Sequence, residues 1–198
     1  MRSDVAVAIA AIRAGQAVIL PTDTVYGLAG TALTPEGRDA VYRLKGREHG
    51  QPTALVAASI EALLECVPEL ERSSGAAITA LLPGPYTLVL PNPARRFPWL
   101  CGSTPDAIGV RVPALSSVAA EVIVAVTAVV ATSANLPGGA EPQTLADVSD
   151  ELRQGAAAAV DGGTLPGIPS TVVDLTGPHP RVLREGAGDL ERVLALTT

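Results

Sequence analysis

A chain of 198 residues is long enough to fill one hydrophobic core and short for two. Hydrophobic residues make up 47% and aromatics only 3%, so the core must be aliphatic, and the 17 prolines and 19 glycines scatter as punctuation without forming a disordered tract. A net charge of −6 argues against stable nucleic-acid binding, and two cysteines are too few for a disulfide framework.

Val5, Ile9 and Ile12 recur at helical spacing after Ser3, an expected N-cap, and Gly15 closes that helix. Residues 17–20 read as a buried strand. A second helix starts at Thr34 and Pro35, turns Val41 and Leu44 inward and stops near Gly46. A strand over 53–57 follows, then a short helix capped by Ser59 and running to Cys66. Residues 69–82 read as helix, ending at Pro83-Gly84-Pro85. Strands are expected over 86–90 and 108–112, with 91–105 a long surface loop. A helix over 117–125, a strand over 128–132 and a helix over 144–153 come next. Strand candidates at 156–160, 170–175 and 181–183 and a last helix over 189–196 complete the chain. This alternation implies a layered α/β domain with a mixed sheet. The most apolar stretch, 118–131, is broken by Glu121 and Thr127 and is too short to span a bilayer, so a cytoplasmic protein with no membrane partner is expected.

Several short segments carry chemistry. Thr22 and Thr24 follow a buried strand, and in an extended chain their hydroxyls share one face while Asp23 takes the other. They read either as donors to a polar ligand or as turn residues. Lys45 is the only lysine, beside thirteen arginines. A compact ammonium there suits phosphate, with Arg47 adding planar contacts; the competing reading is a cation offsetting the helix dipole. Ser133 and Asn135 project to one side after a strand, either towards a ligand or as an Asx-capped turn. Arg111 is the one charge in its strand and either faces water from a sheet edge or holds a carboxylate. Ser170 and Arg184 also sit at strand ends. His49 and His179 have no metal-ligand spacing, and no P-loop, dinucleotide fingerprint or nucleophile elbow is present.

Together these segments resemble the YrdC/Sua5 family, the threonylcarbamoyl-adenylate synthases that begin the making of the t6A base in tRNA. Pro21-Thr22-Asp23-Thr24-Val25-Tyr26-Gly27-Leu28 looks like the family's opening motif. Lys45-Gly46-Arg47 and Ser133-Ala134-Asn135 look like its K-x-R and S-x-N signature. Pro83–Thr87, Gly109–Pro113, Pro169–Asp174 and Leu183–Gly186 match further blocks in order.

The resemblance implies a single YrdC-like domain over residues 1–198 without an additional C-terminal domain. Its sheet would be mixed and twisted, with flanking helices around a concave, positively lined cavity. It implies condensation of L-threonine, bicarbonate and ATP into threonylcarbamoyl-AMP and pyrophosphate, with Mg²⁺ accompanying ATP and a threonylcarbamoyl-transferase complex downstream. Lys45, Arg47, Gln51, Ser133, Asn135 and Arg184 would hold ATP, with Lys45 and Arg47 catalytic. Thr24, Arg111 and Ser170 would hold L-threonine, and no residue is assigned to the metal.

The sequence departs from the family pattern in two places. Glu48 and Gln51 stand where members carry Pro and Lys, and Pro137-Gly138 replaces a Ser-Gly pair. The first change leaves the presumed phosphate pocket less positive. A carbamoyl-adenylate-forming paralogue and a non-catalytic RNA-binding homologue are the alternatives.

Overall fold

A computed structural model of the protein describes residues 3–115 and 117–197. The chain runs α1 (Ser3–Arg13), β1 (Val18–Pro21), β2 (Tyr26–Thr31), α2 (Pro35–Lys45), β3 (Ala54–Ala57), α3 (Ile60–Cys66) and α4 (Glu69–Leu81). It continues through β4 (Tyr86–Pro91), β5 (Ala107–Arg111), α5 (Ser117–Val126), β6 (Ala128–Ser133) and α6 (Asp150–Gly155). It closes with β7 (Thr171–Asp174), β8 (Arg181–Arg184) and α7 (Leu190–Leu194). The strands form one sheet of order β1-β2-β6-β3-β5-β4-β7-β8. Two of its pairings, β3 with β5 and β4 with β7, are parallel and the others antiparallel, so the sheet is mixed as expected.

The period-2 geometry of strands divides the core in two. Ile19, Leu28, Leu55 and Val130 point to one face, with Val41, Leu63, Leu70 and Ile78 of α2, α3 and α4 packed on it. Val18, Leu20, Val56 and Val129 point to the other, under Val5, Ile9 and Ile12 of α1 and Val122 and Ile123 of α5. Leu88, Leu90, Ile108, Val110 and Val173 extend the first cluster beneath β4, β5 and β7. Their alternate neighbours, among them Thr87, Val89, Gly109, Arg111, Val172 and Asp174, line a cavity. The site therefore lies on the sheet face opposite the larger core cluster.

Five expectations need correction. Strand β2 lies in a stretch read only as motif, because Gly27 and Gly30 dilute its strand signal. The glycines are there for close packing: a Cβ on Gly30 would lie 2.5 Å from the Gly37 carbonyl oxygen of α2. The helix expected over 144–153 is a 3-10 turn, Leu145–Asp147, followed by α6. Thr144 and Asp147 form a capping box for the first, and Ser149 caps the second with its hydroxyl accepting from the Leu152 N–H. Residues 156–160 form one bridge, Ile19 with Ala159, and run beside β1 through Ala157 N to Ala17 O and Val160 N to Ile19 O bonds. The loop over 91–105 is anchored inside: Asn92 is buried and donates to the Arg96 and Pro105 carbonyls, and Leu100 and Cys101 are buried. Ser3 is the first residue of α1 and not a residue before it. Among the described residues no helix is long and apolar enough to cross a membrane.

Candidate active site

Lys45 ends α2, and Gly46, at φ 67°, terminates the helix in the left-handed region that glycine adopts without strain. The turn brings Arg47 back so that its N–H bonds the Tyr42 carbonyl at 2.9 Å. Lys45 is only 8% exposed. Its Nζ donates to the Ser133 carbonyl at 2.7 Å and to Asn135 Oδ1, with the Ser133 hydroxyl at 3.4 Å. Two segments read separately in the sequence are thus one hydrogen-bonded unit. Ser133 Oγ donates to Asn135 Oδ1 at 2.7 Å, and Asn135 Nδ2 donates to the Gly139 carbonyl at 2.7 Å, fixing the loop after β6. Burial pulls the Lys45 ammonium down from 10.5 to about 8; Glu141 opposes that shift and Arg47 adds to it.

Arg47 lies over the Tyr42 ring, 5.4 Å from its centroid. It donates to the Pro52 carbonyl at 2.6 Å and to Thr132 Oγ1 at 3.3 Å. Its Nε is buried without a hydrogen-bond partner. Glu141 Oε2 and Arg111 Nε share that condition, and all three residues line the same cavity. Unpaired buried polar atoms are costly, and three residues of this cavity's wall each carry one.

Arg111 faces no open water. Its strand lies inside the sheet, between β3 and β4, and its guanidinium is paired with Asp23 and donates to Thr24 Oγ1 at 2.7 Å. Asp23 also accepts from the Ala114 N–H at 3.0 Å. Burial draws Arg111 below the usual guanidinium value, while Asp23 resists. Thr22 and Thr24 do face together, their hydroxyls 3.0 Å apart, yet the segment bends and Asp23 turns to the same arginine as Thr24. Thr24 is fully buried, and Thr22 is the threonine of this pair on the cavity wall.

Ser170 is buried, its hydroxyl 2.8 Å from Thr87 Oγ1. Arg184 donates to the Ser170 carbonyl from Nη2 at 2.8 Å and reaches its hydroxyl at 3.2 Å. The structure therefore joins Arg184 to Ser170. Both line a cavity of about 640 Å³ whose wall also carries Arg47, Arg111, Arg181, Ser133, Glu141 and Asp174. That volume suits a nucleotide-sized ligand.

Gln51 falls outside this constellation: it is exposed, and its backbone carbonyl accepts the Tyr42 hydroxyl at 2.6 Å. Glu48 is exposed as well. The sequence reading missed Asp23 as the partner of Arg111, Thr87 as the partner of Ser170, and Glu141. An arginine between two valines demands an acidic partner, but its spacing does not say which of the chain's acids supplies it. Glu141 sits in a Gly- and Pro-rich loop and carried no such signal.

The Sua5_yciO_yrdC family model, described as "Telomere recombination", matches residues 10–186. A Mycobacterium tuberculosis (strain CDC 1551 / Oshkosh) protein, provisionally named threonylcarbamoyl-AMP synthase, is 35% identical over 190 residues, 94% of this chain and 85% of that protein. The threonylcarbamoyl-AMP synthase of Pyrococcus abyssi (strain GE5 / Orsay) is 33% identical over 183 residues, covering 92% of this chain and 54% of that one. The crystal structure of P. abyssi Sua5 complexed with L-threonine superposes with a TM-score of 0.85 at 32% identity, covering 97% of this chain and 56% of that chain. This chain thus spans a little over half the length of the Pyrococcus protein.

Proposed function

The chain belongs to the Sua5/YciO/YrdC family, and from that membership we propose that it is an L-threonylcarbamoyladenylate synthase. In this reading it condenses L-threonine, bicarbonate and ATP, in the cytoplasm, for t6A modification of tRNA. The observation that carries the proposal is one cavity bordered by two sets of groups. Arg47 and Ser133 line one part of it, with Lys45 and Asn135 hydrogen-bonded to Ser133, and Arg111 with the Ser170–Arg184 pair lines another. A reaction that joins an amino acid to a nucleotide needs two such half-sites.

The threonine amine attacks the bicarbonate carbon, and water leaves to give a carbamate. A carbamate oxygen then forms a bond to the α-phosphorus as the bond to pyrophosphate breaks. No protein nucleophile is required; the work is positioning and neutralising phosphate charge. Arg47 supplies a cation on the cavity wall, and Lys45, bonded to Ser133 of that wall, supplies a second beside it. Arg111, braced by Asp23 on the cavity wall, offers a guanidinium to the threonine carboxylate, and the Ser170 and Thr87 hydroxyls suit the amino acid's polar groups.

Magnesium fits as a cation carried on the phosphates. Among the described residues no group of three or more His, Cys, Asp or Glu could hold a metal, but the cavity wall offers a buried carboxylate oxygen without a partner. Bound there, the cation would offset triphosphate charge. The adenylate product is a reactive mixed anhydride, which suits direct passage to a threonylcarbamoyl-transferase complex.

Pyrophosphate release from ATP tests the reading, and we expect release only when L-threonine and bicarbonate are both present. Release driven by carbamoyl phosphate without threonine would favour a carbamoyl-adenylate-forming paralogue. No release under any condition would leave a non-catalytic homologue.

A further inference from the structure

Glu141 is the oddest residue on the cavity wall. A carboxylate close enough to Lys45 to oppose the effect of burial on its ammonium stands in the pocket assigned above to phosphate. Next to a triphosphate it would be repelled, and repulsion between unit charges in a poorly hydrated pocket is strong. It is nevertheless held there. On one side Asn135 fixes the loop through the Gly139 carbonyl at 2.7 Å, and on the other the Tyr26 N–H bonds the Pro142 carbonyl at 3.0 Å. Between those two anchors Glu141 Oε2 is buried with no hydrogen-bond partner.

A fixed carboxylate on a wall that receives phosphate calls for a cation between the two. Mg²⁺ is usually bound by one or two carboxylates together with substrate phosphates and water, and it does not need an all-protein cage. We propose that Glu141 is this chain's own ligand to the divalent cation that enters with the nucleotide triphosphate. The inference rests on the nucleotide reading above and adds to it a residue that the signature motifs omit. It also gives a role to a negative group in a pocket otherwise built from cations. One carboxylate on the metal and two cations, Lys45 and Arg47, on the phosphates would divide the charge of the complex between them.

The test compares binding of α,β-methylene-ATP to the full chain and to Glu141→Gln, with Mg²⁺ and with EDTA. Mn²⁺ electron paramagnetic resonance of the ternary complex is a second readout. We expect the wild-type chain to bind the analogue more tightly with Mg²⁺. The variant should lose roughly tenfold or more of the Mg²⁺-bound affinity while binding the metal-free analogue more tightly than wild type. The Mn²⁺ spectrum of the ternary complex should change as well. This crossing pattern separates metal ligation from two other roles. A carboxylate bonding a ribose hydroxyl would weaken both forms equally on substitution, and one that merely repels phosphate would strengthen both. Either result, or an unchanged Mn²⁺ spectrum, overturns the proposal. Failure of the wild-type chain to bind the analogue at all would instead overturn the nucleotide reading and this inference with it.

Discussion

Lys45 shows how one buried group sets two pH dependences of opposite sign. In the folded protein its ammonium loses the proton near pH 8, against 10.5 for an ordinary lysine. Its attraction for phosphate fades through the same range, so nucleotide affinity is expected to fall as pH rises past about 8. Binding titrations on either side of that value check it. For folding the sign reverses. Between about 8 and 10.5 the unfolded chain binds more protons than the folded one, so this group's contribution makes stability rise with pH across that window. Denaturant titrations at both ends measure it; an unchanged stability would mean that the ammonium is not desolvated. Arg111 and Asp23 make a different case. Their side chains are 13% and 8% exposed, so each has given up water for the other. Asp23→Ala strands a buried guanidinium and is expected to cost roughly 3–5 kcal/mol in urea unfolding. It should also loosen Thr24, whose hydroxyl accepts from the same arginine.

At the scale of elements, α2 matters most because its last residue is Lys45 and its third is Gly37. A Cβ on Gly37 would stand 2.1 Å from the Thr31 carbonyl oxygen of β2, which cannot be relieved by turning a side chain. Gly37→Ala is expected to destabilise by roughly 1–3 kcal/mol or more. A calorimetric Tm should fall by roughly 2–4 °C for each kcal/mol. The contact also explains what could be read from the sequence. Helices with a clear apolar stripe and a cap, such as α2 and α3, and strands rich in Val, Leu and Ile, such as β4, β5 and β6, announce themselves locally. Strand β2 does not, because its glycines were selected for a neighbour that only the fold brings near. The site shows the same division. Lys45, Arg47, Ser133 and Asn135 stood out by type and spacing, whereas the bond of Lys45 to a carbonyl 88 residues away is tertiary. Glu141 stayed hidden because its meaning depends on facing Lys45.

For the whole molecule, the acidic total and the arginine-bearing cavity are compatible under the proposed function, in which the partner is a small anion and not a polymer. The cavity wall draws on β2, β3, β4, β5, β6, β7 and β8, so an occupant ties together most of the sheet. A nucleotide analogue at about 100 times its Kd is expected to add about 2.7 kcal/mol of stability. That should appear as one cooperative upward shift in Tm. A shift confined to part of the transition would mean that the wall does not move as a unit.

The singular lysine has a consequence for chemistry done to the protein. Apart from the α-amino group, these 198 residues offer acylating reagents one amine, and it lies beside the cavity with its proton already loosened. A lysine-directed label therefore becomes an occupancy gauge. Its uptake at Lys45 reports whether the pocket is empty, filled or altered, with no background from other side-chain amines.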